Sequence, residues 1–428
     1  MEIIKKGRTF EYKPSIYNIH VPYPYNGGTI LYNGITNGIA LLSAEEYESF
    51  NKNMFSSEHI RLGFAVPTGK DEKLYLANER QRAINNPAIK RYAILTTTAC
   101  NASCYYCFEK GTRAITMSNK TSIRVAKFIL NQQAKTPTKR SSIMWFGGEP
   151  LVNTDAIDCI MGILHDNDVY PDCSITTNGS LITPKMVDKM MDRERWDIKS
   201  VQITLDGFED VYNAAKNYNA PDKYSFSVVI NNILLLLKAG IRVSIRLNYD
   251  TNNYLSLDEL IRYLGNVVSD HEKSHLSVYI NTILPTDKFP TTTIADQYVV
   301  ELNKRLIEVN LSDIEKICRF GFKGINCPMS NKYAFSISPD GHISKCYEVT
   351  DRYPVGDIRR HITDLKTDAL WTSGKIGTEC EKCIYLPLCQ GGCPIYKDHA
   401  HCTKSFNQMD ILPELLAYYV HEKTSISQ

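Results

Sequence analysis

In this 428-residue chain, the residues whose type and spacing most strongly predict a chemical role are three cysteines, Cys100, Cys104 and Cys107. Their C-x3-C-x2-C spacing places three soft thiolates in one short loop, and such thiolates bind iron-sulfur clusters, which commonly take four cysteines. A compact group of three would leave one iron without a protein ligand, open to a cofactor or a substrate. A zinc knuckle, or thiols that bind nothing, is the alternative interpretation of the same spacing.

A second polar segment, Gly147-Gly148-Glu149, begins 40 residues after the last of these cysteines and follows an apolar run. Glycines let two backbone segments approach closely, and a carboxylate accepts hydrogen bonds from an ammonium group. Two later apolar runs also end in polar residues, one at Asn178 and the other at Thr204 and Asp206. These ends are candidate ligand contacts, with an ordinary turn as the alternative.

The cysteines and the polar ends belong to a region in which short apolar runs alternate with amphipathic segments. The predicted strands are 92–95, 143–146, 174–176, 201–205, 241–245 and 276–280, and the predicted helices are 122–133, 154–165, 184–191, 227–239 and 256–264. Six such β-α units predict an α/β protein with a parallel sheet, either a partial barrel or an open doubly wound sheet. In both architectures ligands bind at the carboxyl ends of the strands, where these residues lie.

The alternating region, residues 91–310, is flanked by two segments of different character. Residues 1–90 contain two strand-like runs and a helix start at Ser43, where Glu46 completes a capping box, and they predict a small α+β domain. Residues 311–428 lose regular periodicity and gain cysteine, glycine and proline, which indicates a domain organised around metal. Its cysteines are Cys318, Cys327, Cys346, Cys380, Cys383, Cys389, Cys393 and Cys402.

Composition argues against several classes of protein. Lysine and arginine total 49 against 47 acidic residues, so no basic face for a nucleic acid is expected. The sequence has no signal-like start and no apolar stretch of membrane-spanning length, so we expect a cytoplasmic protein with no membrane partner. In a reducing cytoplasm, clustered cysteines bind metal rather than form disulfides. Cys159 and Cys173, which lie outside the clusters, are expected to be buried packing residues.

With the aromatic Tyr106 before its last cysteine, the triad resembles the motif of the radical SAM superfamily. The resemblance implies a partial (β/α)6 TIM-like barrel whose 4Fe-4S cluster binds the amino and carboxylate groups of S-adenosylmethionine. One electron from the reduced cluster then cleaves the cofactor into methionine and a 5′-deoxyadenosyl radical that abstracts hydrogen.

The same resemblance implies roles for the polar residues. Tyr106 packs near the adenine, and the Gly147-Gly148-Glu149 segment matches a Gly-Gly-Glu-Pro turn whose glutamate accepts from the methionine ammonium. Asn178 lies at a strand end that contacts the cofactor in relatives. Thr204 and Asp206 are expected to bind the ribose hydroxyls.

The chain departs from the family pattern after Asp206. Many relatives carry a histidine and an arginine six and ten residues later, where this chain has Tyr212 and Lys216. The contact to the cofactor carboxylate therefore has two candidates. Lys216 offers a point charge, and Arg246 on the fifth strand offers a bidentate fork.

The spacing of the C-terminal cysteines resembles the SPASM extension, which binds up to two auxiliary 4Fe-4S clusters and would bring the total to three. The resemblance implies that Cys327, Cys346 and Cys393 hold the first auxiliary cluster, which Cys318 would complete; a free core thiol is the alternative for Cys318. The second cluster would be held by Cys380, Cys383, Cys389 and Cys402. A module with two zinc ions is the alternative for the whole segment.

SPASM enzymes mostly modify peptides, so the leading hypothesis is a maturase that cross-links a ribosomally made precursor peptide, most often through a cysteine thioether. Residues 1–90 would bind the leader segment by strand addition, with a plain structural cap as the alternative. A flavodoxin or ferredoxin would supply electrons.

Anaerobic sulfatase maturases, which form formylglycine, carry aspartate where this chain has Tyr347 after Cys346, and this departure weakens that alternative. Tyr347 and Glu348 are candidate catalytic residues by position. Peptide epimerisation is a further alternative, and a zinc-stabilised peptide-binding module without catalysis is the alternative from another class.

Overall fold

The computed structural model describes residues 11–135, 138, 140–283, 295–317, 321–322, 324–325, 327–348, 354–394, 402 and 409–426. The strands within these ranges are β1 Tyr12–Pro14, β2 Asn18–Pro22, β3 Thr29–Asn33, β4 Ile39–Leu42, β5 Ala65–Pro67, β6 Lys90–Leu95, β7 Ser141–Phe146, β8 Asp172–Thr177, β9 Ile198–Leu205, β10 Arg242–Tyr249, β11 Leu276–Thr282, β12 Ala334–Ile337, β13 His342–Ser344, β14 Pro354–Asp357 and β15 His361–Ile362.

The helices are α1 Ala44–Asn51, α2 Ser57–Arg61, α3 Glu72–Asn85, α4 Asn119–Ala134, α5 Thr154–His165, α6 Pro184–Met191, α7 Glu209–Lys216, α8 Phe226–Lys238, α9 Tyr254–Val267, α10 Asp270–Lys273, α11 Gln297–Glu308, α12 Ile314–Ile317, α13 Leu365–Thr372, α14 Leu386–Cys389 and α15 Leu412–Ile426. In the ranges that are described, none of these helices has the length and apolar character needed to cross a membrane.

A ten-stranded sheet runs in the order β11-β10-β9-β8-β7-β6-β12-β13-β14-β15. The strands from β6 to β11 are parallel to their neighbours, and β12 joins the same sheet parallel to β6. An antiparallel extension, β13 to β15, then continues beyond β12. The predicted α/β class with a parallel sheet is therefore confirmed, and the carboxyl ends of β6 to β10 meet at one edge.

The six predicted strands are all present, and the helices between them begin close to the predicted residues because local signals fix their starts. Helix α6 begins at Pro184 after Thr183, whose side chain accepts from the Met186 N–H. The predicted capping box at Ser43 and Glu46 is present at α1.

The two isolated cysteines differ in burial. Cys173 on β8 is 2% exposed, as predicted for a packing residue. The prediction is wrong for Cys159, which is only half-buried on α5 and lies 3.1 Å from Asn119 Oδ1. It falls beside the buried stripe of that helix, which runs through Ile157, Ile160 and Leu164.

The chain divides into two compact units. The second unit spans Ile84–Asp313 and Cys327–Ser373 and contains the ten-stranded sheet. The first unit takes in the described residues of Met1–Ala83, Ile314–Asn326 and Gly374–Gln428. This grouping differs from the three consecutive segments predicted from the sequence, because the ends of the chain share a core.

That shared core packs helix α15 on the antiparallel sheet β2-β3-β4. Leu412 and Leu416 of the helix are buried against Ile19 and Ile30 of the strands. Tyr17, Leu76 and Leu386 form a second cluster between the N-terminal strands, α3 and α14. Long-range burial of apolar surface thus joins segments that lie far apart in the sequence.

Candidate active site at the carboxyl ends of the parallel strands

The cysteine loop, residues 96–116, leaves the carboxyl end of β6 and closes on itself. The Thr98 N–H donates to Ile115 O at 2.9 Å, and the Thr98 hydroxyl accepts from the Ile115 N–H at 2.8 Å. Inside the loop, the Cys107 N–H donates to Cys104 O at 3.2 Å. Backbone hydrogen bonds therefore define the loop independently of the thiols.

Cys104 and Cys107 are half-buried, and Cys100 is exposed as a residue although protein atoms pack around its thiol. Burial raises the pKa of Cys100 to about 12 and that of Cys107 to about 11, and it raises the pKa of Cys104 as well. A bound iron-sulfur cluster would displace these protons, since coordinated thiols are deprotonated.

Over the described part of the chain, no three His, Cys, Asp or Glu side chains are placed to hold a single metal ion. A four-iron cluster takes each thiolate on a different iron atom, so the cysteines that hold one stand apart. The soft donor set of the loop therefore fits a cluster.

The Gly147-Gly148 turn at the end of β7 lies directly against the cysteine loop. The Gly148 N–H donates to Thr97 O and the Glu149 N–H to Ala99 O, both at 2.9 Å. A Cβ atom on Gly147 would lie 2.2 Å from Thr97 O, and one on Gly148 would lie 2.5 Å from Ala99 O. Only glycine permits this approach, so the turn fixes the backbone that leads into Cys100.

Glu149 is completely buried, with 0% of its surface exposed. Its Oε1 accepts from the Leu151 N–H at 3.1 Å and from the Thr177 hydroxyl at 2.7 Å, and its Oε2 accepts from the Asn178 N–H at 2.7 Å. Burial raises the pKa of this carboxyl despite the three donors. Oε2 has a single donor here and keeps a lone pair for a second one.

Asn178, at the end of β8, contacts the cysteine loop. Its Nδ2 donates to Asn101 Oδ1 at 2.8 Å and lies 3.9 Å from Cys100 Sγ. Its Oδ1 accepts from the Ser180 hydroxyl at 2.6 Å, and the Asn101 side chain in turn donates to that hydroxyl at 2.9 Å. The end of β8 thus supports the loop at its first cysteine.

Lys216 and Asp206 form a buried ion pair, with Nζ and Oδ2 2.9 Å apart and side chains that are 2% and 1% exposed. Nζ also donates to the Thr204 hydroxyl at 2.7 Å and to the Tyr106 hydroxyl at 3.1 Å. Burial by itself lowers the pKa of Lys216, but the Asp206 carboxylate outweighs it and holds that pKa well above its usual range. Four predicted cofactor ligands are therefore directed at one another.

Arg246, the other candidate for the carboxylate contact, lies on β10 between Thr204 on β9 and Tyr279 on β11. Its Nε is buried and has no hydrogen-bond partner among the residues that the structure describes. Burial raises the pKa of Glu348, and the nearby Arg246 charge acts in the opposite direction.

Tyr347, the other candidate catalytic residue, packs on the strand that precedes the glycine turn. Its ring centroid lies 4.5 Å from that of Phe146 at the end of β7. Phe146 in turn stacks on Phe108 of the cysteine loop at 6.3 Å. Tyr347 therefore lies one aromatic ring away from the cysteine loop.

Cys327 and Cys346 lie in the second unit, in segments that a buried lysine connects. Lys345, with its side chain 0% exposed, donates to Asn331 O at 3.1 Å and to Ala334 O at 2.8 Å. Asn331 ends the short 3-10 helix that follows Cys327, and Lys345 precedes Cys346. The lysine thus ties together the segments next to both cysteines.

The remaining described C-terminal cysteines, Cys380, Cys383, Cys389, Cys393 and Cys402, belong to the first unit. Cys318 lies outside the described residues. Arg80 of α3 is 6% exposed and donates to Gln390 Oε1 at 3.3 Å. Gln390 lies between Cys389 and Cys393 in the sequence.

Asn101 and Asn248 are site residues that the sequence interpretation missed. Asn248, at the end of β10, donates to Asp206 Oδ1 at 2.8 Å and to the Tyr106 hydroxyl at 3.0 Å. The rule that polar residues at strand ends form the site would have identified Asn248, since it follows the fifth predicted strand. Asn101 lies inside the cysteine motif, where only contacts in space reveal its role.

A parallel sheet whose first strand ends in this cysteine loop, braced by a glycine turn, defines a class of protein. Residues 94–264 match the sequence profile of the Radical SAM superfamily. This part of the chain is therefore a radical SAM domain.

The individual proteins that the chain matches share low sequence identity with it. The chain is 25% identical over 210 residues to the radical SAM cyclopropyl synthase TigE of Paramaledivibacter caminithermalis, and the match covers 42% of this chain but only 44% of TigE. It is 22% identical over 338 residues to the cysteine-type anaerobic sulfatase-maturating enzyme of Clostridium perfringens, covering 71% of this chain and 88% of that enzyme.

Streptococcus suis SuiB shares the fold with a TM-score of 0.52 at 15% identity, over 89% of this chain and 95% of SuiB. Structures of SuiB have S-adenosylmethionine or the precursor peptide SuiA bound.

Proposed function

We propose that this protein is a radical SAM peptide maturase with a partial (β/α)6 barrel, which installs a cross-link, most often a cysteine thioether, in a ribosomally made precursor peptide. The observation that carries the proposal is the cysteine loop at the end of β6, held against the Gly147-Gly148 turn. The structural neighbour SuiB supports the choice of a peptide substrate, since SuiB binds a precursor peptide.

Cys100, Cys104 and Cys107 would hold the radical SAM cluster. When bound, this cluster supplies one electron that cleaves S-adenosylmethionine and so provides the radical that abstracts a substrate hydrogen. The free lone pair on Glu149 Oε2 suits the cofactor ammonium. Of the two candidates for the cofactor carboxylate, Arg246 is favoured, because its buried Nε lacks an acceptor in the described part of the chain whereas Lys216 is already paired with Asp206.

Forming a thioether removes two hydrogen atoms from the peptide: one leaves with the cofactor radical, and the other leaves as a proton and an electron. The proton needs a base near the reacting carbon. Glu348 and Tyr347 are our candidates, since Tyr347 lies one ring away from the cysteine loop and Glu348 lies close enough to Arg246 to feel its charge. The electron needs an acceptor, which we assign to auxiliary clusters.

Two auxiliary 4Fe-4S clusters in a SPASM domain, residues 311–428, are part of the proposal. The first would use Cys327, Cys346, Cys393 and Cys318, and the second would use Cys380, Cys383, Cys389 and Cys402. Support comes from Lys345, which ties together the segments next to Cys327 and Cys346. A flavodoxin or ferredoxin in a reducing cytoplasm would supply electrons.

Metal content tests the auxiliary clusters. Three four-iron clusters predict about twelve iron and about twelve sulfide per chain after anaerobic reconstitution. Replacing Cys327 by alanine is expected to lower iron to about eight, because a cluster that loses a thiolate ligand is labile. The matched control is Cys159→Ala, which removes a half-buried thiol outside the clusters and should keep all the iron.

An unchanged iron content in Cys327→Ala would remove Cys327 from the ligand set. Zinc without sulfide in the unmodified protein would instead support the non-catalytic peptide-binding module.

The N-terminal segment, residues 1–90, is the proposed leader-binding part. Its small antiparallel sheet has β2 and β4 as outer strands, and an outer strand can accept a peptide as an added strand through backbone hydrogen bonds. Such binding suits a disordered leader, because it makes little demand on the sequence of the peptide.

The function is tested by anaerobic incubation with S-adenosylmethionine, a reductant and the short peptide encoded beside the gene. We expect 5′-deoxyadenosine together with a peptide that has lost two hydrogen atoms. Alkylation of the product distinguishes the two kinds of cross-link. A thioether protects one cysteine from the reagent, whereas a carbon-carbon bond, which the name of TigE suggests, leaves every cysteine reactive. Absence of both 5′-deoxyadenosine and the mass loss contradicts the proposal.

Formylglycine formation is the second candidate, favoured by the match to the sulfatase-maturating enzyme. A serine or cysteine oxidised to an aldehyde would react with a hydrazide probe, which neither cross-link does. Epimerisation, the third outcome, changes no mass and would show as deuterium uptake from solvent at one α carbon.

A further inference from the structure

We infer that Lys216 is a positioning residue that fixes the cysteine loop through Tyr106, and that it does not bind the cofactor. The inference depends on the radical SAM domain alone. Its test therefore uses no peptide, and its outcome is independent of the proposed peptide substrate.

The first step is the set of contacts that the Lys216 ammonium group already makes within the protein. Its Nζ contacts one oxygen atom on each of Asp206, Thr204 and Tyr106, at 2.9, 2.7 and 3.1 Å. Two of these contacts, those to Thr204 and Tyr106, are hydrogen bonds, and the third is an ion pair with Asp206, whose Oδ2 accepts no hydrogen bond among the described residues. With 2% of its side chain exposed, Lys216 makes all three contacts in the buried interior.

The second step is the position of Tyr106, which lies between the second and third cysteines of the loop. Its hydroxyl accepts from Lys216 Nζ and, at 3.0 Å, from Asn248 Nδ2. Asn248 also donates to Asp206 Oδ1 at 2.8 Å. These bonds form a closed network that ties the loop to the ends of β9 and β10.

Asn253 supports this network through hydrogen bonds to two backbone carbonyl groups. Asn253 Nδ2 donates to Asp206 O and to Asn248 O, both at 2.8 Å. The two strand ends that hold Tyr106 are thereby kept at a fixed separation, and the tyrosine hydroxyl has a defined place between them.

The main chain around Lys216 also forms hydrogen bonds with the cysteine loop. The Ser103 N–H donates to Lys216 O at 2.9 Å, and the Asn219 N–H donates to Asn101 O at 3.0 Å. Asn217 takes a left-handed conformation, with φ 44°, at the end of α7 and so turns the chain toward the loop. Both the backbone and the side chain of this segment therefore act on the residues that carry the cysteines.

The buried charges explain why the position suits lysine. A lone carboxylate at Asp206 would be costly to bury, and Lys216 neutralises it while reaching Tyr106. Removing Lys216 alone leaves Asp206 unpaired and endangers folding. Removing both charges, as in Lys216→Met/Asp206→Asn, avoids that penalty and isolates the loss of the support for Tyr106.

The experiment compares three proteins after anaerobic reconstitution: the Lys216→Met/Asp206→Asn double variant, Tyr106→Phe, and Lys199→Met as control. Lys199 pairs with Asp197 at the other end of β9, half exposed and away from the loop. The readouts are the rate of iron loss to a chelator, the electron paramagnetic resonance spectrum of the reduced cluster before cofactor is added, and the dissociation constant for S-adenosylmethionine.

In the double variant we expect iron of the loop cluster to be lost about tenfold faster, the effect typical of residues that orient metal ligands. Its cofactor-free spectrum should be altered. Tyr106→Phe should change the rate of iron loss and the cofactor-free spectrum in the same direction. It removes the hydrogen bond between Lys216 and the Tyr106 hydroxyl while leaving the Lys216 and Asp206 charges in place. Lys199→Met should match the unmodified protein.

A ligand role for Lys216 gives the opposite pattern and would overturn the inference: normal iron retention and a normal cofactor-free spectrum, with cofactor affinity reduced tenfold or more in the double variant and unchanged in Tyr106→Phe. If no readout changes in either variant, the inference is also wrong. Thermal denaturation of the double variant confirms that a folded protein has been compared.

Discussion

Replacing Cys104 by alanine is expected to abolish formation of 5′-deoxyadenosine, with a rate at least about a thousandfold lower, equivalent to about 4 kcal/mol in the barrier. The reason is that the proposed cluster carries the radical chemistry and needs all three thiolates of the loop. Iron should fall by about four per chain, and the spectral response to S-adenosylmethionine should disappear.

The variant should still fold, which makes the loss interpretable. The loop is closed by backbone bonds, such as that between Thr98 and Ile115, which do not involve the thiol. Cys159→Ala is again the matched control and should keep full activity. Retention of the cofactor-responsive signal in Cys104→Ala would show that this cysteine is not a cluster ligand.

Replacing Gly147 by alanine is the second change with a large expected effect. Its φ is +141°, and an added Cβ would lie 2.2 Å from Thr97 O, a backbone atom that can yield only if the cysteine loop moves. We expect a loss of about 2 to 4 kcal/mol in the free energy of unfolding, from backbone strain and overpacking. The displaced loop should also hold less iron.

Urea denaturation of the apoprotein and iron content after reconstitution measure the two parts of this prediction. The matched control is Gly162→Ala on helix α5, where a Cβ meets nothing within 4 Å. That variant should gain about 0.5 to 1 kcal/mol, because alanine is the better helix former. Equal stability of the two variants would contradict the close approach of Gly147 to Thr97 O.

The strands and helices of the parallel sheet could be predicted from the sequence because their signals are local. Apolar runs of strand length alternate with amphipathic segments, and capping residues such as Thr183 and Ser43 mark helix starts. The division into units could not be predicted in the same way. The contact between α15 and the sheet of β2 and β3 joins segments almost 400 residues apart, and no local pattern encodes it.

For the site, the sequence by itself determined which residue types gather at the strand ends, since the motif fixes Cys100, Cys104 and Cys107 and the sheet fixes where they emerge. Only the tertiary structure decided what each polar side chain faces. The sequence gives Lys216 no partner, but in the structure it pairs with Asp206 at 2.9 Å, whereas the Nε of Arg246 is buried with no acceptor among the described residues. Burial and pairing depend on neighbours from other strands, and these physical quantities, rather than residue type, separate a ligand-binding charge from one that holds the fold.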